Sequence, residues 1–166
     1  MGWKIRLVAV ALLLGLALPG RAQDEGSDGK KWTLTAGAFI PWDDTLCDVD
    51  TETGFTLALF HKVRETEKDA ILGFFRYTRF DLANDQWVDL YSPMIEYRLT
   101  TPKPFYFSVA AGTVFGANNN GGHTWSAAYE VGAGWNVSSS FVLEARMIRG
   151  TKRGEHGFAI SAGIKL

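Results

Sequence analysis

An all-β chain whose eight antiparallel strands close into an up-and-down barrel is the architecture expected of these 166 residues. Alternation is the main reason: apolar residues recur at every second position in eight runs of about nine to eleven residues, and no stretch beyond residue 31 sustains a helical period. Each run also divides unequally. One face collects large apolar and aromatic side chains, and the other collects glycine, serine and a few long charged residues. The connections alternate as well, with long polar segments at one end and compact turns at the other.

The first 22 residues are set aside before strands are counted. Lys4 and Arg6 form a short basic region, Leu7–Leu18 is an uncharged apolar run of 12 residues, and Pro19-Gly20-Arg21-Ala22 supplies a helix break and small residues at a cleavage position. The run is too short for the ~20 residues that a helix needs to cross a bilayer, so a cleaved secretory signal peptide is expected over residues 1–22. Residues 23–31 form a polar leader, and the barrel is expected over residues 32–166. Cleavage after Ala22 removes Lys4, Arg6 and Arg21 from the 17 basic residues, which leaves 14 against 18 acidic ones and a formal charge of −4.

That balance gives no basic stripe to displace counterions from phosphates, so no nucleic-acid partner is expected. A composition of 21% charged and 13% aromatic residues is not that of a disordered chain. The single cysteine, Cys47, is too few for a disulfide scaffold and is read as an inert loop thiol.

The first run, Trp32 to Ile40, places Trp32, Leu34, Ala36, Ala38 and Ile40 on one face and Thr33, Thr35, Gly37 and Phe39 on the other. The second, Gly54 to Lys62, opposes Phe55, Leu57 and Leu59 to Thr56, Ala58, Phe60 and Lys62. In the third, Ala70 to Phe80, Ile71, Phe75 and Tyr77 share a face, which leaves Leu72 and Phe74 with Arg76 and Thr78. The fourth, Trp87 to Leu99, sets Tyr91, Pro93, Ile95, Tyr97 and Leu99 against Ser92, Met94, Glu96 and Arg98; Pro93 removes a ladder donor and should mark a bulge.

The second half alternates more cleanly. Phe105 to Phe115 runs Phe, Phe, Val, Ala, Thr, Phe on odd positions, and Trp125 to Trp135 sets its odd residues against Ser126, Ala128, Glu130, Gly132 and Gly134. Phe141 to Ile148 and Phe158 to Leu166 complete the count, with Glu144, Arg146 and Lys165 on their polar faces.

Facing decides what such a barrel meets. Were the polar face outside, Gly112, Gly132, Gly134, Gly157 and Gly163 would face water, where strand glycine has little advantage. With the polar face inside, small residues leave room for long ions in a narrow lumen, and the apolar face meets lipid. Trp125 and Trp135 then lie ten residues apart on one outer face, about 33 Å of strand, which a ~40° tilt reduces to roughly 25 Å, the height of an outer-membrane apolar band. An aromatic girdle of Trp32, Trp87, Phe105, Phe115, Trp125, Trp135 and Phe141 is expected. The connections at 41–53, 81–86, 116–124 and 150–156 would be the outer loops, with periplasmic turns at 63–69, 100–104 and 137–139.

The pattern over residues 32–166, down to the C-terminal strand GFAISAGIKL, resembles the small eight-stranded outer-membrane β-barrels, the class of the transmembrane domain of outer-membrane protein A and its short relatives. That class usually ends on an aromatic residue as part of a signal read by the barrel-assembly machinery, and this chain ends in Leu166. The resemblance implies a bacterial outer-membrane location, with lipopolysaccharide and membrane lipids as surroundings and assembly machinery as a transient partner. A monomer is expected.

Inward-facing Arg76, Glu96, Arg98, Glu130, Glu144, Arg146 and Lys165 should form a lumenal ionic network, because ions inside a low-dielectric shell must be paired. A three-residue turn at 137–139 would set Glu130 opposite Arg146. Eight strands enclose little more than side chains, so this network reads as a structural plug. His123 and Ser126 suggest a rim hydrolase resembling the barrels that remove or transfer acyl chains of lipid A. However, the His-x-Ser spacing is absent and NNNGG at 118–122 looks mobile.

Asp43, Asp44, Asp48, Asp50 and Glu52 crowd the first loop, and Asp48-x-Asp50-x-Glu52 imitates the start of a calcium loop, but the glycine, Gly54, falls one place late and Leu59 occupies the position of the bidentate glutamate. No cofactor or metal site is expected. The Asn136-Val137-Ser138 glycosylation pattern sits at an expected periplasmic turn, where it carries no weight. A non-enzymatic envelope protein acting through its loops is therefore the expected function. A lipid A-modifying enzyme and a secreted lipocalin-like barrel are the alternatives, and the latter requires every strand to face the other way.

Overall fold

The computed structural model describes residues 30–42, 53–82, 86–101, 104–152 and 155–166. The expected signal peptide, most of the leader, Cys47 and the acidic first loop lie outside these residues. Eight strands follow in chain order: β1 (Trp32–Pro41), β2 (Gly54–Glu65), β3 (Asp69–Leu82), β4 (Gln86–Thr100), β5 (Phe105–Asn118), β6 (His123–Asn136), β7 (Phe141–Gly150) and β8 (Gly157–Lys165). Each pairs antiparallel with its neighbour, and β1 pairs with β8 to close the barrel. Closure satisfies the edges that an open sheet would expose. The described residues contain no helix.

The faces follow the alternation on every strand. Leu34, Ile95, Phe107, Val131 and Ile160 point outward, while Thr35, Glu96, Ser108, Gly132 and Ser161 are buried inside. Leu72 and Phe74 are also interior, beside Arg76, so the third strand keeps strict alternation with an apolar inner face at one end.

Three local expectations are corrected. First, the segment 116–124 is mostly strand and not a long loop: β5 and β6 meet through residues 119–122 alone. The Asn118 side-chain oxygen accepts from the N–H groups of Asn120 (3.1 Å) and Gly122 (2.9 Å), and Gly121 N–H donates to the Asn118 carbonyl at 3.1 Å. Gly121 has φ +77°, a left-handed conformation that glycine adopts without penalty.

Second, Pro93 produces no bulge. Pairing between β4 and β5 is interrupted between Tyr91↔Phe115 and Met94↔Gly112 but resumes in the same register, so the missing N–H costs ladder bonds and leaves the count unchanged. The bulge lies instead at Lys62/Arg64, where β2 slips against β3. Third, Gly132 pairs with Arg146 and Glu130 with Ile148, two residues away from the expected register, because Asn136 pairs with Val142 and the turn takes up residues 137–141.

The interior is layered. Near the loop end Phe39 and Phe80 pack at 5.5 Å between ring centres, with Leu90 and Val114 beside them. Farther down Phe60 and Phe74 stack at 4.7 Å. Between and below these rings lie the buried ions.

Candidate functional site

The centre of the barrel holds three arginines and three glutamates, carried by four strands: Arg76 on β3, Glu96 and Arg98 on β4, Glu130 on β6, Glu144 and Arg146 on β7. Alternation places all six on inner faces, and the small residues around them leave the space. Gly132 is one such position, since a Cβ there would lie 2.9 Å from the Arg146 side chain.

Arg76 grips Glu130 with two bonds, from Nε to Oε1 at 2.9 Å and from Nη2 to Oε2 at 3.1 Å, and its Nη1 donates to Thr56 Oγ1 at 3.2 Å. Arg146 holds Glu144 in the same two-pronged way, at 3.0 and 3.1 Å, and donates to Glu96 Oε2 at 2.6 Å. Arg98 donates to Glu96 Oε1 at 2.8 Å and reaches Glu144 at 3.5 Å. The Tyr106 hydroxyl donates to Glu144. Glu130 and Arg146 are 3.5 Å apart, so they do touch, as a diagonal contact secondary to the Arg76 pair.

Every carboxylate oxygen in this set meets a donor, and the formal charges cancel. Aromatic faces cover the guanidinium groups: Arg98 lies 3.9 Å from the Tyr106 ring centre and Arg146 lies 4.9 Å from that of Phe60. Arg76, Glu96, Glu130 and Arg146 are no more than 2% exposed. An isolated ion at such depth would be costly, and the reciprocal pairing offsets that cost. Chemically the cluster can fix the barrel's interior and fill its lumen. Lys165 is half-buried at the terminal end of β8 and belongs to none of the ion pairs found among the described residues.

The outer wall has two aromatic zones. Toward the chain termini Trp32 packs on His61 at 4.3 Å, Phe105 stacks on Trp135 at 5.9 Å, and Phe141 sits alongside on β7. Toward the loops, rings from five strands form a continuous arc: Phe55–Tyr77, Tyr77–Tyr91, Tyr91–Phe115 and Phe115–Trp125 lie between 5.1 and 6.1 Å apart. Trp87 takes the Arg79 guanidinium at 4.3 Å, and Arg79 and the Tyr77 hydroxyl both meet Asp89. Between the zones the surface is apolar, with Ile95 68%, Phe107 58% and Val109 53% exposed. A water-soluble barrel buries such residues, and this one displays them.

The same fold occurs in solved structures. Ail, the attachment invasion locus protein of Yersinia pestis, superposes with a TM-score of 0.58 at 16% identity, over 82% of this chain and 99% of that one. The outer membrane protein OprG from Pseudomonas aeruginosa gives 0.62 at 9% identity, over 82% and 96%. Neisserial surface protein A gives 0.53 at 16% identity, over 86% and 99%. This chain has the fold of the small eight-stranded outer-membrane barrels. By sequence it matches no protein-family model and none of the curated proteins.

Within this outer-membrane barrel fold, the rim residues considered as a hydrolase do not assemble. His123 points outward and stacks on Phe115 at 5.6 Å, whereas Ser126 points inward and donates to Glu155, so the wall of β6 separates the two. An odd residue and an even one on the same strand cannot form a nucleophile–base pair. Among the described residues no group of three or more His, Cys, Asp or Glu is placed to hold a metal.

Residue patterning missed Tyr106, Phe60 and Phe74 as partners of the ions. Their inward parity was visible, but their role depends on cross-barrel distances. It also missed Glu155, a connection residue that folds into the barrel mouth and is 3% exposed.

Proposed function

We propose that this protein is an integral outer-membrane barrel without catalytic activity, crossing the membrane with its eight strands and working through its surface loops. The observation that carries this reading is the inverted distribution of polarity, a neutral ionic centre inside an apolar wall bounded by two aromatic zones. Chain termini and short turns face the periplasm and the loops face the exterior, as in barrels of this kind. Lipopolysaccharide surrounds the loop end as its lipid partner, the assembly machinery inserts the chain, and the barrel acts as a monomer that supports the envelope or contacts other surfaces.

The absence of catalysis is inferred from the separation of His123 from Ser126 and from the mutual saturation of the lumenal ions. Cysteine probes placed one at a time from Trp125 to Trp135 test the facing that underlies the proposal. Quenching by a lipid-soluble reagent should alternate with a period of two and peak at odd positions. If even positions are quenched instead, the membrane reading is wrong. Lipid A from cells with and without the protein should have the same acyl pattern on mass analysis, and a lost acyl chain would reinstate an enzyme.

A further inference from the structure

At the loop end, above the ionic cluster, the barrel mouth contains a second polar arrangement of different character. A cavity of about 230 Å³ opens there, walled by Phe80, Leu82, Val88 and Leu90, with Thr124 and Glu155 at one side. Glu155 reaches it from the β7–β8 connection. Its backbone carbonyl accepts from Gly150 N–H at 3.3 Å, the His156 ring lies 2.8 Å from the Gly150 carbonyl, and Trp42 N–H donates to the His156 carbonyl at 2.9 Å. Gly150 makes the approach possible, since a Cβ there would lie 2.1 Å from Glu155 Oε2.

The Glu155 carboxylate receives the Ser126 hydroxyl, the Thr124 hydroxyl at 3.4 Å and the Lys152 N–H at 3.4 Å. All three donors are neutral. Among the described residues no Lys, Arg or His side chain pairs with Glu155, in contrast to the three glutamates below, each of which meets an arginine. A carboxylate 3% exposed and oriented by neutral donors beside hydrocarbon is complementary to a cation that carries its own apolar body.

We propose that this cavity binds a small amphipathic ammonium compound, with its cationic head on Glu155 and its apolar body against Phe80, Leu82, Val88 and Leu90. The volume lies below the 300–1,000 Å³ of drug-sized sites, which limits the ligand to a compact amine. Neutral and anionic molecules of the same shape are rejected, because they leave the carboxylate uncompensated or repel it.

The mature chain in lipid nanodiscs, titrated with benzylammonium, tests the proposal. Methyl resonances of Val88 and Leu90 should shift saturably, while Ile95 on the outer wall reports simple partition into lipid. Benzyl alcohol and benzoate should bind about tenfold more weakly or worse, and Glu155→Gln should weaken benzylammonium to a similar degree, as loss of a charge-assisted hydrogen bond does. Val88→Trp, which fills the cavity and leaves Glu155 in place, should abolish the shifts and keeps the test decisive if the Glu155 variant does not fold. Equal response to benzyl alcohol, unchanged binding by either variant, or shifts confined to Ile95 would overturn the proposal.

Discussion

Arg76 and Glu130 are each 1% exposed and joined by two hydrogen bonds. Removal of one therefore leaves the other as a buried, undercompensated charge. Glu130→Ala or Arg76→Ala should destabilise the barrel by about 3–5 kcal/mol, and the double substitution should cost clearly less than the two combined. Denaturant unfolding of the unmodified protein and the three variants in micelles measures the coupling, and additivity within about 0.5 kcal/mol would refute the pairing. The identity of this partner shows what a sequence can and cannot display at this scale. Parity alone places Glu130 and Arg146 on the inner face, since residues two apart always share it. Whether Glu130 meets Arg146 or Arg76 depends on register and on the distance across the lumen, and neither leaves a local signal.

Among the elements, β6 carries the most complete alternation, with Tyr129, Val131 and Ala133 exposed and Ala128, Glu130, Gly132 and Gly134 buried. Val131 lies midway between the aromatic zones, so Val131→Arg should destabilise the folded state by roughly 2–4 kcal/mol in a bilayer. The same change at His123, on the outer face by the loop end, should cost far less. Equal costs, measured by equilibrium unfolding in vesicles, would contradict the depth assigned to β6. Strand existence and facing were legible here because alternation repeats over many residues. The ends were less so. Asn118 and His123 look like loop residues by composition, yet the Asn118 side chain closes a four-residue connection and extends both strands. Pro93 misled in the opposite sense, because its lost donor is tolerated on the outer face without a change of register.

For the whole molecule, the separation of the two aromatic zones sets the bilayer it fits. A span of roughly 25 Å favours thin membranes, and each ångström of excess hydrocarbon costs a fraction of a kcal/mol. The folded fraction in vesicles of increasing acyl length, followed by tryptophan fluorescence, should be highest near that thickness and fall in thicker bilayers; a maximum in the thickest would contradict the proposed span. The closed architecture was legible from eight alternating runs, whereas the Glu155 cavity was not, since a connection has no periodicity to show where it folds. The placement of the ions has a consequence for the strands that close the circle. All six sit on β3, β4, β6 and β7, and β5 adds Tyr106, so charge is neutralised within five consecutive strands. The seam joins Thr35 to Gly163 and Gly37 to Ser161 through compact, uncharged residues, and its one ion is the half-buried Lys165 opposite Thr33 at the terminal end. Pairing of β8 with β1 therefore desolvates Lys165 in part, and none of the six mutually paired ions is carried by the two strands that close the circle.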